Sequence, residues 1–215
     1  MCQPRRVPPH RVFLLSPASA AGKRCRQLVA PGASFELARR LRNGGVPLGE
    51  VMSFLSALYF RGKLTYAERF AAPPPGCAGV LVITPDRGLV APETPLGLAD
   101  LRAFGAVPID VGDARYAEPL RDAATALRAR LPRRAEVVLL GSIATPKYVD
   151  GLSAVFGRAL LFPADFVGRG DMSRGGLLLR AARAGVELAY RRVEGAERRG
   201  PRAVKLAELA LSAGP

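Results

Sequence analysis

Lysine is the rarer strong base in this 215-residue chain, with four residues against 28 arginines. A primary amine can titrate or act as a nucleophile, which a guanidinium cannot do near neutral pH. Lys23, which ends a loop of small residues (SPASAAGK) after the apolar run VFLL, is therefore a candidate catalytic group. Lys63 and Lys147 raise the same question. Asp86 and Asp165 follow the apolar runs VLVIT and LLFP, and Asp171 lies a little further on. A carboxylate at such a place can orient water or stabilise an oxocarbenium-like centre, as glycosyl-bond chemistry requires. Burial would have to tune its pKa. Asp86 and Asp165 join Lys23 as candidate catalytic residues.

A second kind of chemistry is written in DFVGRGDMSRGG, residues 165–176. Glycines such as Gly168 and Gly170 permit positive φ and close backbone approach. Arg169 and Arg174 can fork onto phosphate oxygens. A helix beginning near Ser173 or Arg174 would offer free N–H groups and its positive dipole end to an anion. The stretch is neither a G-x-x-x-x-G-K-[ST] phosphate loop nor a dinucleotide fingerprint. Ser19 in the first loop and Arg87 in the second extend this phosphate- or nucleotide-binding set. Tyr59, with Arg61 and Lys63 beside it, could stack on a base and hold its phosphate. The helical pattern instead expects Tyr59 in the core, with both basic residues pointing to solvent.

Several chemistries are excluded. The single histidine, His10, sits in a Pro- and Arg-rich leader, which argues against a Ser-His-Asp triad or a His-rich metal site. Cys2, Cys25 and Cys77 lack C-x-x-C spacing, so no structural zinc is expected. Neither a metal nor a cofactor is implied by ligand spacing. An odd cysteine count without a framework points to a reducing, cytoplasmic setting. No apolar run approaches the roughly 20 residues that span a bilayer, so no membrane partner is expected. The leader imitates a signal peptide, but VFLL is too short for its apolar core and reads as a buried strand.

The elements that must position these groups follow from periodicity. Residues 11–15, 79–84, 136–142 and 158–163 are short apolar, β-branched runs, as strands covered on both faces would be. Helical patterns cover residues 35–42 with Ser34 as N-cap, 49–71 with Gly62 as a point of division, and 116–131. Others lie near 98–104, near 146–156 and after the glycine-rich loop. ELAYRRVEG, from residue 187, fits an edge strand or a tail. Strands alternating with amphipathic helices predict an α/β fold: three layers, a mainly parallel central sheet of about four strands, and helices on both faces. The expected organisation is a flexible basic leader (1–10), one α/β domain (11–190) and a basic tail (191–215). In such sheets ligands bind beyond the carboxyl ends of the strands, where the four loops carrying the candidate residues fall.

The order VFLLSPASAAGKR, LYFRGKLTYAERF, VLVITPDRGLVAPET and YVDGL before a glycine-rich loop resembles an uncharacterised bacterial family related to the YaaA-type peroxide-stress proteins. It is also similar to the lysine-bearing middle domain of archaeosine synthase, whose fold is uracil-DNA-glycosylase-like. The likeness spans residues 11–175 through short motifs. It implies that Lys23 is the functional lysine and that Arg87 and Gly88 border the pocket. Gly88 and Leu89 match the family's pattern, while Arg87 replaces an aromatic residue. The cysteine expected before the first-loop lysine is absent, and Ser16 and Ser19 stand in that loop. The role implied is a nucleic-acid-related one.

Charge agrees with such a partner. The formal net charge is +14, and clustered guanidinium groups displace counterions from phosphates. The joint abundance of Arg, Ala, Gly and Pro also matches the bias of a GC-rich genome. Three readings stay open: an enzyme acting on a nucleobase or nucleotide within nucleic acid, by glycosylase-like or base-modifying chemistry on a flipped base; a non-catalytic DNA- or RNA-binding protein; and a small-molecule nucleotide enzyme whose charge is compositional. All three expect nucleic acid or a nucleotide as partner.

Overall fold

In a computed structural model, residues 9–200 are described. Most of the expected leader, and the tail beyond residue 200, lie outside them. The fold is α/β, with a six-stranded, mostly parallel mixed sheet in the order β4-β3-β1-β6-β7-β8. Its centre is β1 (Arg11–Leu15), flanked in parallel by β3 (Val80–Thr84) and β6 (Glu136–Leu140), with β7 (Leu160–Pro163) parallel to β6. These are the four apolar runs of the sequence. They are buried almost completely because helices cover them. Two short strands close the edges antiparallel: β4 (Gly88–Val90) against β3, and β8 (Tyr190–Arg192) against β7. The sheet thus has two strands more than the four expected, and Arg191 and Arg192 of the expected tail belong to its edge. A separate two-stranded ribbon joins β2 (Val46–Pro47) to β5 (Pro95–Leu96).

Eight α-helices lie among the described residues. Those that matter for the site are α1 (Lys23–Val29), α3 (Leu48–Ser56), α4 (Leu58–Phe70), α6 (Ala114–Arg130), α7 (Pro146–Phe156) and α8 (Asp171–Ala184). The remaining two are α2 (Glu36–Asn43) and α5 (Leu98–Ala106). The helical pattern of residues 49–71 divides at Ala57, whose φ of 46° breaks the helix between α3 and α4, and not at Gly62. The α2 N-cap is Phe35 and not Ser34, with no side-chain cap. The chain enters α8 at Asp171, earlier than expected, so Gly175 and Gly176 lie inside the helix and not in the loop before it.

The helices form two groups. α4 packs on β1, β3 and α8, whereas α6 packs on β3, β4 and α7. From β1 the chain passes to β3 on one side, then returns across β1 to β6 on the other. Right-handed crossovers, the rule for parallel strands, send these two connections over opposite faces. The loops after β1 and β6 therefore diverge, and a crevice opens between them.

The α4–α8 crossing is unusually close. A Cβ on Gly62 would stand 2.7 Å from the Gly175 carbonyl oxygen, and a Cβ on Gly175 would stand 2.9 Å from the Leu58 oxygen and from Tyr59 Cα. These are backbone atoms and cannot give way. Gly176, one residue on, has only the Arg180 guanidinium near its missing Cβ, at 3.8 Å. Gly175→Ala is expected to lower the unfolding free energy by about 1–3 kcal/mol through overpacking. Gly176→Ala should raise it by up to about 1 kcal/mol through helix propensity. Denaturant unfolding of the two variants checks the contrast, and equal effects would show that the crossing is not tight.

Candidate functional site

The divergent loops enclose a cleft of about 580 Å³. Ser16, Ser19, Lys23 and Cys25 line it from the β1 side, Ser142, Lys147 and Tyr148 from the β6 side, and Tyr59 and Asp171 from the crossing helices. A second cleft of about 570 Å³ shares Ser19, Lys147, Tyr148 and Asp171 and continues toward Pro85, Phe104 and Ile109. Lys23 and Lys147 are exposed at the rim. Cys25 is buried, and desolvation pushes its thiol pKa up, with Arg26 pulling it down.

Behind Ser16, which lines the cleft, lies Lys63. This side chain is 1% exposed, which corrects the expectation that it points to solvent. Arg61, two residues earlier, is exposed as expected. Lys63 Nζ donates to the Ser16 carbonyl oxygen and lies 2.9 Å from Ser16 Oγ. It stands 4.4 Å from the centre of the Tyr59 ring and 5.0 Å from that of Phe60. An ammonium group in such a place loses its hydration, and two oxygens and two ring faces offset only part of that loss. Desolvation lowers the Lys63 pKa to about 7, with Asp171 raising it and Arg174 lowering it further. The amine is thus poised between its two states near neutrality.

Ser16 is the first residue beyond β1. Its N–H donates to the Leu140 carbonyl, which prolongs the β1–β6 ladder, and its Oγ lies 3.3 Å from the same oxygen. Gly141 makes room for it, since a Cβ there would meet Ser16 Cβ at 3.0 Å. Tyr59 is 6% exposed, and its hydroxyl has no hydrogen-bond partner among the described residues. Burial raises its pKa; the Arg174 guanidinium, close by but outside hydrogen-bonding geometry, draws it back. Burial likewise pushes Tyr148 up to about 12, with Asp171 adding to the shift. Both tyrosines therefore stay protonated and can donate.

The residues selected from the sequence fall into separate groups. Lys23 and Ser19 line the cleft. Asp86 and Arg87 lie in the turn between β3 and β4 and line neither cleft. Burial raises the Asp86 pKa, and Arg87 lowers it. Arg87 is engaged by Asp100, with Asp86 at 3.6 Å and its guanidinium 5.4 Å from the Phe104 ring centre. Gly88 (φ 64°) lets this turn pass α6, since a Cβ there would stand 2.2 Å from the Pro119 oxygen. Asp165 is exposed in a short 3₁₀ turn, away from both clefts.

The glycine-rich loop also has internal duties. Arg174 donates twice to the Phe166 carbonyl, at 2.9 and 3.1 Å, and lies over the Phe166 ring. Arg169 is 3.4 Å from Ser173 Oγ. Gly168 takes φ 72°, and Gly170 is the N-cap of α8. None of Gly168, Arg169, Gly170, Ser173 and Arg174 lines either cleft. The loop's contribution there is Asp171. Among the described residues no cluster of His, Cys, Asp and Glu could hold a metal ion, and no helix is long and apolar enough to cross a membrane.

Lys63 is the residue whose place the sequence reading missed. Its signal was present: Tyr59, Lys63, Tyr66 and Ala67 share one buried helical face, so this lysine interrupts an apolar stripe. Comparison with known protein families, curated proteins and solved structures finds no match to this chain.

Lys63 links stability to pH. Its folded pKa, near 7, lies below the unfolded value near 10.5. Between these values the unfolded chain binds more protons, so stability rises with pH. Relative to Lys63→Met, wild-type unfolding free energy should climb from pH 7 to 9 with a slope approaching about 1.4 kcal/mol per pH unit. Parallel pH profiles for the two proteins would show that Lys63 keeps an ordinary pKa.

Proposed function

We propose that this protein is nucleic-acid-associated and that the cleft beyond β1 and β6 takes a nucleotide unit. The observation that carries the reading is the gathering of lysines. Of the three lysines among the described residues, in a chain that otherwise uses arginine, Lys23 and Lys147 line this cleft and Lys63 lies behind it against Ser16. Lys23 and Lys147 stand on opposite walls and suit the oxygens of a phosphate, as compact, mobile point charges. The first turn of α7, which supplies Lys147 and Tyr148, adds N–H groups that lack intrahelical acceptors. Tyr59 and Tyr148 offer buried hydroxyl donors deeper in the cleft, where a base or sugar would lie.

The volume suits one nucleotide, and the net charge of +14 suits the polymer around it. The resemblance to the uracil-DNA-glycosylase-like domain implies the same kind of partner, and base processing within the cleft is the chemistry that follows from it. Asp86 and Asp165, outside the cleft, are poorly placed to serve such a reaction, while Lys23 stands at its mouth.

Binding of a fluorescent single-stranded oligonucleotide, in DNA and RNA forms, tests the proposal across a salt series. Lys23→Ala/Lys147→Ala is expected to weaken binding at least about tenfold. It should also reduce the slope of log K against log salt by about 1.4. Affinity and slope equal to those of the wild type, or no binding at low salt, would overturn the cleft as the site.

A further inference from the structure

We infer that Ser16 is a nucleophile and Lys63 its general base, forming a serine–lysine pair for acyl transfer in the same cleft. This goes beyond nucleotide binding, because it requires only that an acyl compound reach Ser16. Three observations meet at one point. Ser16 lines the cleft, although it is only 5% exposed. Lys63 Nζ lies 2.9 Å from its Oγ, within hydrogen-bond reach. Lys63 reaches no solvent of its own, being 1% exposed beneath the Tyr59 and Phe60 rings. A buried lysine that addresses one serine at a cleft floor has the geometry of a nucleophile and base, with the base desolvated by its surroundings.

The charged and titratable groups facing Lys63 are Asp171 and Arg174 from α8 and Tyr59 from its own helix. Asp171 favours the ammonium form and Arg174 the amine. With the amine free, the Ser16 hydroxyl turns from the Leu140 carbonyl to donate to Nζ, while Nζ–H still donates to the Ser16 carbonyl oxygen. Oγ then forms a bond to the acyl carbon of an ester, and its proton passes to Nζ. The ester C–O bond breaks, and the Lys63 ammonium returns that proton to the leaving alkoxide. Water next attacks the acyl-serine, giving its proton to Lys63. The acid leaves, Ser16 regains a proton, and the sum is ester plus water giving acid plus alcohol. The Tyr59 and Tyr148 hydroxyls and the first-turn N–H groups of α7 are donors available to the acyl oxygen. Lys23 and Lys147 at the rim favour an ester that also carries a phosphate or carboxylate.

A fluorophosphonate probe tests the pair in the wild-type protein. Oγ attacks phosphorus, fluoride leaves, and the adduct is read by intact mass and located by peptide mapping. The expected result is one adduct on Ser16, formed about tenfold faster at pH 8 than at pH 6 as the amine is freed. Ser16→Ala should abolish it. Lys63→Met, checked for folding by circular dichroism, should slow it more than tenfold and flatten the pH profile. No adduct on Ser16 between pH 6 and 9, or equal rates at pH 6 and 8, would overturn the inference. Adding a nucleoside monophosphate separates the two readings. Protection of Ser16 supports both, whereas undiminished labelling keeps the serine–lysine pair and removes the nucleotide from the cleft.

Discussion

The contact on which the site depends is the crossing of α4 and α8 at Gly62 and Gly175. With no Cβ on either side, backbone approaches backbone, and the helices sit closer than side chains would allow. Lys63 follows Gly62 directly, and Arg174 precedes Gly175. The crossing therefore fixes how near the lysine comes to the charges at the start of α8. Ser16 and the Tyr59 and Phe60 rings keep water from the amine itself. Packing and electrostatics are one problem here.

Burying an amine is costly, and the fold contains the cost locally. Nζ meets the carbonyl and hydroxyl of one residue, Ser16, and two ring faces. It is not neutralised by a buried carboxylate, since Asp171 is exposed at the cleft edge. A full buried ion pair would have held the ammonium form through the physiological range. The chosen surroundings leave the proton only loosely held. Arg11 beside β1, by contrast, engages two carboxylates, Glu136 and Glu187. The contrast sets Lys63 apart from ordinary framework charges.

Topology supplies the rest of the geometry. The strand order places the chain's first and third parallel strands side by side, with their outgoing connections running apart. Ser16 follows one of these strands and Gly141 the other, small enough to let the serine stand between them. Segments as distant in sequence as Lys23 and Tyr148 line one cleft because both leave this seam. The β3–β4 turn and the glycine-rich loop lie at the same end of the sheet but close on themselves. Arg87 folds onto Asp100, and Arg174 onto the Phe166 carbonyl.

The sequence by itself determined the α/β class, the four parallel strands and the loops from which a site could be drawn. Apolar runs and helical stripes are local consequences of burial, so they can be read residue by residue. It also marked lysine as unusual in an arginine-rich chain. The antiparallel edge β4, at three residues, left too little alternation to be distinguished from a turn, and β8, equally short, fitted an edge strand and a tail alike. Only the tertiary structure decided which loops converge, because strand order is not a local property. Only it could turn Lys63 inward: the helical pattern placed this side chain on a face, but what meets that face is the end of β1, where Ser16 takes the amine beside the Tyr59 and Phe60 rings. Its chemistry comes from the water that this packing excludes.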